Sequence, residues 1–293
     1  MKITRKIKSG ILFMLAAAVC FAVMVLCVKL LNRTYPSQEI VFFRSILGVV
    51  MTSTILRIKN ISMWGHAEAR LVLVLRGLSG YVALAMSYYA ITHLSLGMGT
   101  LLNYTAPVFS ALLAVFFLKE RPNAALIILT LVAFAGIDLL VQSEPDFSKS
   151  PAIALGLLSA VFAAVAYVSI RKLKHHVSPL TVIFYFTLIS TLGSGFFCSA
   201  QWQIPRFQDI PILAVVGIVS FLGQLWLTIS LRRAPASIAV PFSYLTAVLS
   251  YLLGFIFLHE IPATRALAGT VIVIVAGSLI PSLGHAHESS KNS

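Results

Sequence analysis

From residue 10 to residue 281 the chain is a near-continuous series of apolar stretches. Each is close to the ~20 residues a helix needs to cross a lipid bilayer. They run 10–31, 37–57, 71–91, 95–118, 124–141, 152–170, 179–199, 210–231, 236–258 and 263–281, ten stretches with short polar connections. In lipid every backbone N–H and C=O must be satisfied within the protein, so only helices and closed barrels can span it. Barrel strands alternate polar and apolar residues over ~10 positions, and these stretches do not. The sequence therefore predicts an all-α, polytopic membrane protein with ten transmembrane helices. Composition agrees, at 59% apolar and 11% charged residues, against ~25% charged in soluble domains. That excludes a water-soluble enzyme, a disordered chain and a secreted disulfide scaffold. A net charge of +13 would suggest nucleic acid in a soluble chain. Here the basic residues flank apolar stretches, so the bilayer, and no nucleic acid, is the expected partner.

The basic residues also predict orientation, because Lys and Arg collect on the cytosolic side. With the N-terminus inside, the outer loops hold Arg33, Lys149, Arg206 and Arg265, and Lys29, Arg44 and Arg76 lie within spans. The other fifteen of the 22 basic residues fall inside, so both termini are predicted to be cytosolic. The start MKITRKIKSG resembles a secretory signal, but the apolar run after it is long for a signal core and nine more spans follow, so it reads as an uncleaved first helix. Cys20, Cys27 and Cys198 all sit in apolar stretches and read as packing residues.

The chain also repeats itself. Residues 104–122 (YTAPVFSALLAVFFLKERP) match 244–262 (YLTAVLSYLLGFIFLHEIP) at nine of 19 positions, including Tyr104/Tyr244, Ser110/Ser250, Glu120/Glu260 and Pro122/Pro262. A weaker echo sets Pro36 and Phe43 opposite Pro179 and Phe186. The unit thus holds five spans, and an odd number inverts the second copy. The predicted organisation is a first repeat over 8–145, a second, inverted repeat over 151–283 and a short polar tail over 284–293, which as a flexible end is expected to be disordered. Inverted duplication is a transporter signature, since one design then supplies inward-open and outward-open states.

These residues resemble the drug/metabolite transporter superfamily, in its ten-helix EamA-type branch. The marks are the two five-helix halves, the short basic N-terminus, Phe42-Phe43-Arg44 in span 2, and the Leu-(Lys/His)-Glu-x-Pro ends at Leu118 to Pro122 and Leu258 to Pro262. The resemblance covers roughly 8–283. It implies a 5+5 inverted-repeat bundle with a central cavity and solute movement without ATP. It also implies substrates such as amino acids, nucleoside-like metabolites, riboflavin-like vitamins or S-adenosylmethionine-like compounds. Arg76-Gly77 and Tyr88-Tyr89 are similar to importers of the last kind. A bacterial inner (plasma) membrane is the expected location.

A solute path needs polar or small groups on one helix face. Span 4 sets Thr100, Asn103, Pro107, Ser110 and Ala114 on one stripe, and the repeat places Val240, Ser243, Ala247, Ser250 and Gly254 on the matching stripe of span 9. Span 8 carries Ser220, Gln224 and Thr228. Small residues and hydroxyls also serve helix packing. Amides in lipid are costly unless paired or wetted, which favours Asn103 and Gln224 as substrate-binding residues. Thr100, Ser243, Arg76 and the symmetry mates Tyr104 and Tyr244 join them, with Tyr81, Tyr88 and Trp226 as weaker candidates. Arg44, Pro107, Pro241, Glu120 and Glu260 read as gating or structural. None of the nine acidic residues sits in mid-membrane, Asp138 coming nearest. That favours facilitated diffusion or exchange, with a proton-coupled efflux pump as the alternative. No phosphate-cradling Gly-x4-Gly-Lys-(Ser/Thr) loop, metal-ligand spacing or catalytic cluster occurs. No ATP-driven pump, catalytic residue, metal or cofactor is expected, and an intramembrane enzyme is the remote rival. The small solute is the expected ligand. A homodimer stays open.

Overall fold

Uniformly apolar runs bounded by Pro, Ser and short polar segments fold as helices that start and stop where the sequence changes. A computed structural model describes residues 2–106, 108–109, 124–141, 147–173, 177–198, 202–234 and 239–291. Helices α1 (Lys2–Leu31), α2 (Ser37–Ile58), α3 (Ala67–His93), α4 (Leu96–Asn103) and α5 (Ala124–Val141) precede α6 (Ser150–Lys172), α7 (Pro179–Cys198), α8 (Ile210–Arg233), α9 (Leu245–Leu258) and α10 (Thr264–Lys291). Three short 3-10 turns accompany them, and no strand occurs among the described residues. Pro179 opens α7 and Pro211 stands in the first turn of α8, where a missing N–H costs nothing. Among the described residues six helices are long and apolar enough to cross a membrane: Lys6–Leu31, Ser37–Ile58, Ala67–His93, Ser150–Ile170, Pro179–Cys198 and Phe207–Arg233. Phe242–Leu258 and Thr264–Ala276 are shorter apolar helices. Much of the stretch 95–118, with Pro107, Ser110, Ala114 and Glu120 just beyond it, lies outside the described residues. The chain is a multi-pass membrane protein.

Two boundaries differ from the sequence reading. α1 begins at Lys2, and α10 continues through the polar tail to Lys291. Extending an existing helix is far easier than nucleating one, and neither MKITRKIKSG nor GHAHESSKNS contains a proline.

The helices pack mainly across the two halves of the chain. α1 lies on α8, α3 on α6, α2 on α7 and α5 on α10. α4 packs on α9 and α6, α1 on α9, α2 on α8 and α3 on α7. Small residues permit these approaches: at Gly97 of α4 a Cβ would overlap the Tyr251 ring of α9. The buried side of the bundle holds Met14, Val28, Ile40, Leu56, Leu73, Ile91 and Ile183. Leu71, Leu192, Phe196, Phe197, Phe255, Ile256 and Phe257 face outwards, as a lipid-facing surface requires.

One end of the bundle is tied by polar contacts. His259 terminates α9 in the left-handed region, with φ of 55°. The chain turns back so that the Glu260 N–H donates to the Gly254 carbonyl at 3.1 Å, a helix-terminating turn. This aims Glu260 at α4, whose Leu96 N–H donates to Glu260 Oε2 at 2.6 Å. Lys29 Nζ stands 3.8 Å from the other carboxylate oxygen and donates to the carbonyls of Ile91, at 3.0 Å, and Leu94. The ends of α1, α3 and α9 and the start of α4 thus meet on one charge pair. Nearby, the Tyr35 hydroxyl donates to Asp209 at 2.7 Å and accepts from the Arg206 N–H at 2.9 Å.

Gly97→Ala should lower stability by about 1–3 kcal/mol through overpacking against Tyr251. Thermal unfolding of the purified protein in detergent measures it; an unchanged midpoint would show that the α4–α9 contact is loose.

Candidate functional site

Seven helices line a central cavity. α1 contributes Phe21, Met24 and Val25; α3 contributes Arg76, Gly80, Ser87 and Tyr88; α4 contributes Thr100 and Asn103, with Tyr104 in the turn after it. α6 adds Ala163, Ala166 and Tyr167, α8 adds Gln224 and Leu227, and α2 and α7 supply Arg44 and Phe186. Five of the sequence-selected binding residues, Thr100, Asn103, Tyr104, Gln224 and Arg76, therefore meet in one place, together with Arg44.

Each is held by a neighbour. The Asn103 amide donates to Ser159 Oγ of α6 at 2.9 Å, and Ser159 donates on to the Gly156 carbonyl at 2.6 Å. Thr100 donates to the Leu96 carbonyl of its own helix at 2.7 Å. Arg76 Nη2 makes a long 3.4 Å contact to Gln224 Oε1. Its guanidinium lies over the Phe186 ring, 4.7 Å from the centroid. Gly80, one turn later on the same face, makes this pose available, because a Cβ there would overlap Arg76 Nη1 and crowd Phe186.

Arg44 also turns inwards. Its guanidinium lies 5.7 Å from the Tyr88 ring and 5.8 Å from the Phe186 ring. The preceding residues do the opposite: Phe42 and Phe43 pack on Trp202, with centroids 5.0 and 5.4 Å away. Phe42-Phe43-Arg44 thus splits into two anchors for the 202–206 segment and one cavity residue.

Other selected residues lie elsewhere. Ser243 and Tyr244 are buried but do not line the cavity, and Tyr244 packs with Leu94, Met98, Leu101 and Ala247. Pro241 lies in the 3-10 turn Val240–Tyr244 that precedes α9. Glu260 belongs to the tie with Lys29. Pro107 and Glu120 lie outside the described residues. Tyr81 and Trp226 do not line the cavity, whereas Tyr88 does. Tyr167 and Phe186 were not singled out by polarity or stripe. The repeat carried a signal for them: Phe186 is the counterpart of Phe43, and the same offset pairs Tyr167 with Met24, another lining residue.

Among the described residues no carboxylate lines the cavity, and no group of three or more His, Cys, Asp or Glu could hold a metal ion. The arrangement suits reversible binding of a small polar molecule.

Comparison with known proteins gives consistent results. The EamA-like transporter family matches residues 8–142 and again 150–280. The pseudopaline exporter CntI of Pseudomonas aeruginosa is 33% identical over 271 residues, covering 92% of this chain and 95% of the exporter. Human solute carrier family 35 member G1 is 26% identical over 299 residues, covering 96% of this chain and 81% of that protein. The S-adenosylmethionine uptake transporter of Rickettsia conorii is 25% identical over 250 residues, covering 84% and 83%. A solved crystal structure with 19% identity superposes with a TM-score of 0.69, covering 94% of this chain and 97% of that one, which shows the same fold.

If the cavity is wetted, Ser87→Cys and Thr100→Cys, introduced after replacing the three native cysteines, should react with a small water-soluble thiosulfonate in liposomes. Ser243→Cys should stay unmodified. Equal labelling at all three sites would contradict the assignment.

Proposed function

The chain belongs to the EamA-like transporter family, a family of transporters and not enzymes, and on that premise we propose that it is a secondary transporter. It moves a small polar metabolite through the central cavity by alternating access, without ATP. The observation that carries this reading is the makeup of the cavity wall. Positions equivalent in the two halves meet there: Met24 with Tyr167, Leu84 with Gln224, and Ser87 with Leu227. A cavity built from matching positions of two copies stands on the axis that relates them, where a site can face either side in turn.

Helix packing supports two repeats, at 8–145 and 151–283. Exchanging α1–α5 for α6–α10 turns the α1–α8 contact into α6–α3, α2–α8 into α7–α3, and α1–α9 into α6–α4, and all of these contacts exist. The charge bias of the loops supports cytosolic termini, and the short loops and bacterial relatives support a bacterial inner membrane. On that orientation the Lys29–Glu260 tie closes the outer end, and Glu260 acts as a gating residue, with Glu120 as its counterpart in the first repeat. The cavity carboxylate that a proton-coupled pump would use is absent among the described residues, which supports uncoupled exchange.

The test is counterflow in liposomes loaded with mixed amino acids, S-adenosylmethionine, S-adenosylhomocysteine, riboflavin and nucleosides, with neither ATP nor a pH gradient. One labelled compound should exchange, and Asn103→Ala and Gln224→Ala should each slow it about tenfold or more while expression holds. Glu260→Gln should leave solute affinity intact but favour the state open at the Lys29 end, read as faster labelling of a cysteine placed at Leu94. Flux that appears only under a pH gradient, and is lost in Asp138→Asn, would replace this reading with proton coupling.

A further inference from the structure

Two positive charges stand in the cavity wall with no negative partner among the described residues. Arg44 and Arg76 are 4% and 3% exposed, so neither reaches an interface by snorkelling, the usual escape for an arginine near a membrane surface. Arg44 Nη1 and Arg76 Nε and Nη1 are buried and find no hydrogen-bond partner among the described residues. Among the described residues the single polar bond of Arg76 is the long one to Gln224. Among the described residues no carboxylate lines this space. Both guanidinium groups instead rest against the Phe186 ring. Cation–π attraction offsets part of the cost of burying a charge, but it does nothing for unused N–H donors, and two cations sharing one ring repel each other. Buried charges are otherwise paired and hydrogen-bonded, and an intramembrane ionisable group without a partner marks a ligand site.

We propose that Arg44 and Arg76 form an oxyanion site, and that the transported solute is a small organic anion whose carboxylate or phosphate group docks between them. The guanidinium fork matches either group with paired N–H···O bonds. Phe186 and Gly80 hold the fork of Arg76 open: the ring supports its face, and the missing Cβ leaves space for Nη1. Asn103, Gln224 and Tyr167 lie along the same cavity to receive the remainder of the molecule. The site is thus charged before the solute arrives, at the expense of stability in the empty protein. This deepens the transporter reading above and rests on it.

The test uses the purified full chain in detergent and a polar small-molecule extract of bacterial cells, separated by ion exchange into anionic, neutral and cationic pools. The anionic pool should raise the thermal midpoint of the wild type by about 5 °C at saturation, and the other two should not. Acidic methanol, which esterifies carboxylates, or alkaline phosphatase, which removes phosphate monoesters, should abolish the effect, and whichever does so identifies the group. Arg44→Met and Arg76→Met should each lose the response, while their ligand-free midpoints equal or exceed that of the wild type, because an uncompensated charge is gone. Should either Met variant express too poorly to purify, Arg44→Lys and Arg76→Lys provide the second reading: charge kept, fork lost, and at least tenfold higher concentrations of the anionic pool needed. Silence of the anionic pool, stabilisation by the neutral or cationic pool, an undiminished response in the variants, or a fall in the ligand-free midpoint of the Met variants each overturns the assignment. Counterflow separates the two readings. A neutral solute that exchanges while the anionic pool is silent leaves the transporter and removes the oxyanion site. An anionic pool that stabilises a protein showing no counterflow keeps the site and removes the transporter.

Discussion

The structure follows from one constraint: inside lipid there is no water to satisfy a backbone N–H or C=O. Each crossing segment must close its own hydrogen bonds as a helix, and the sequence repeatedly supplies apolar runs long enough to do so. Once all segments are helical and apolar all round, hydrophobicity no longer decides which face goes inwards. Shape does, and small residues such as Gly97 let helices from opposite halves of the chain approach. The large apolar side chains left over, among them Phe196, Phe197 and Phe257, cover the outside.

The same constraint makes polar side chains informative. A group that must be satisfied inside a dry bundle is either bonded to a neighbour, as Asn103 is to Ser159, or waiting for something that comes and goes. Arg44 and Arg76 belong to the second class. Their surroundings hold them without neutralising them: an aromatic ring beneath, a glycine alongside, and in Gln224 an amide acceptor at the limit of bonding distance. A stability-optimised core would have replaced both with leucine or methionine. Their presence fits the recognition site proposed above, which gives the aromatic and amide residues around them a common purpose.

Much of this was legible in the chain itself. Apolar length gave the helices, and helical spacing put Thr100 and Asn103 on one face with Tyr104 beside it. The rarity of amides and guanidinium groups in apolar runs pointed to Gln224 and Arg76. What escaped has physical reasons. Arg44 read as a gating or structural residue; that it turns into the cavity while Phe42 and Phe43 pack on Trp202 is a matter of tertiary contact. Tyr167 and Phe186 are aromatics in spans full of aromatics, and only the weak echo between the first spans of each half sets them apart. On paper Ser243 lies on the stripe of span 9 that matches that of span 4, with Tyr244 beside it. Residues Val240–Tyr244 form a 3-10 turn, however, with three residues per turn rather than 3.6, so the projected face no longer holds.

The carboxylate of Glu260 has two duties: it pairs with Lys29, and it caps the first turn of α4 through the Leu96 N–H. Neither can be released alone. A carboxylate that swings away from Lys29 also uncovers a helix terminus, and a helix terminus that shifts strands the carboxylate beside Gly254. If this end is the outer gate proposed above, the shared carboxylate couples the two releases, so that opening the ion pair and uncovering α4 belong to one step. A membrane that must hold its ion gradients is served by that coupling, because a half-open intermediate is the one that leaks.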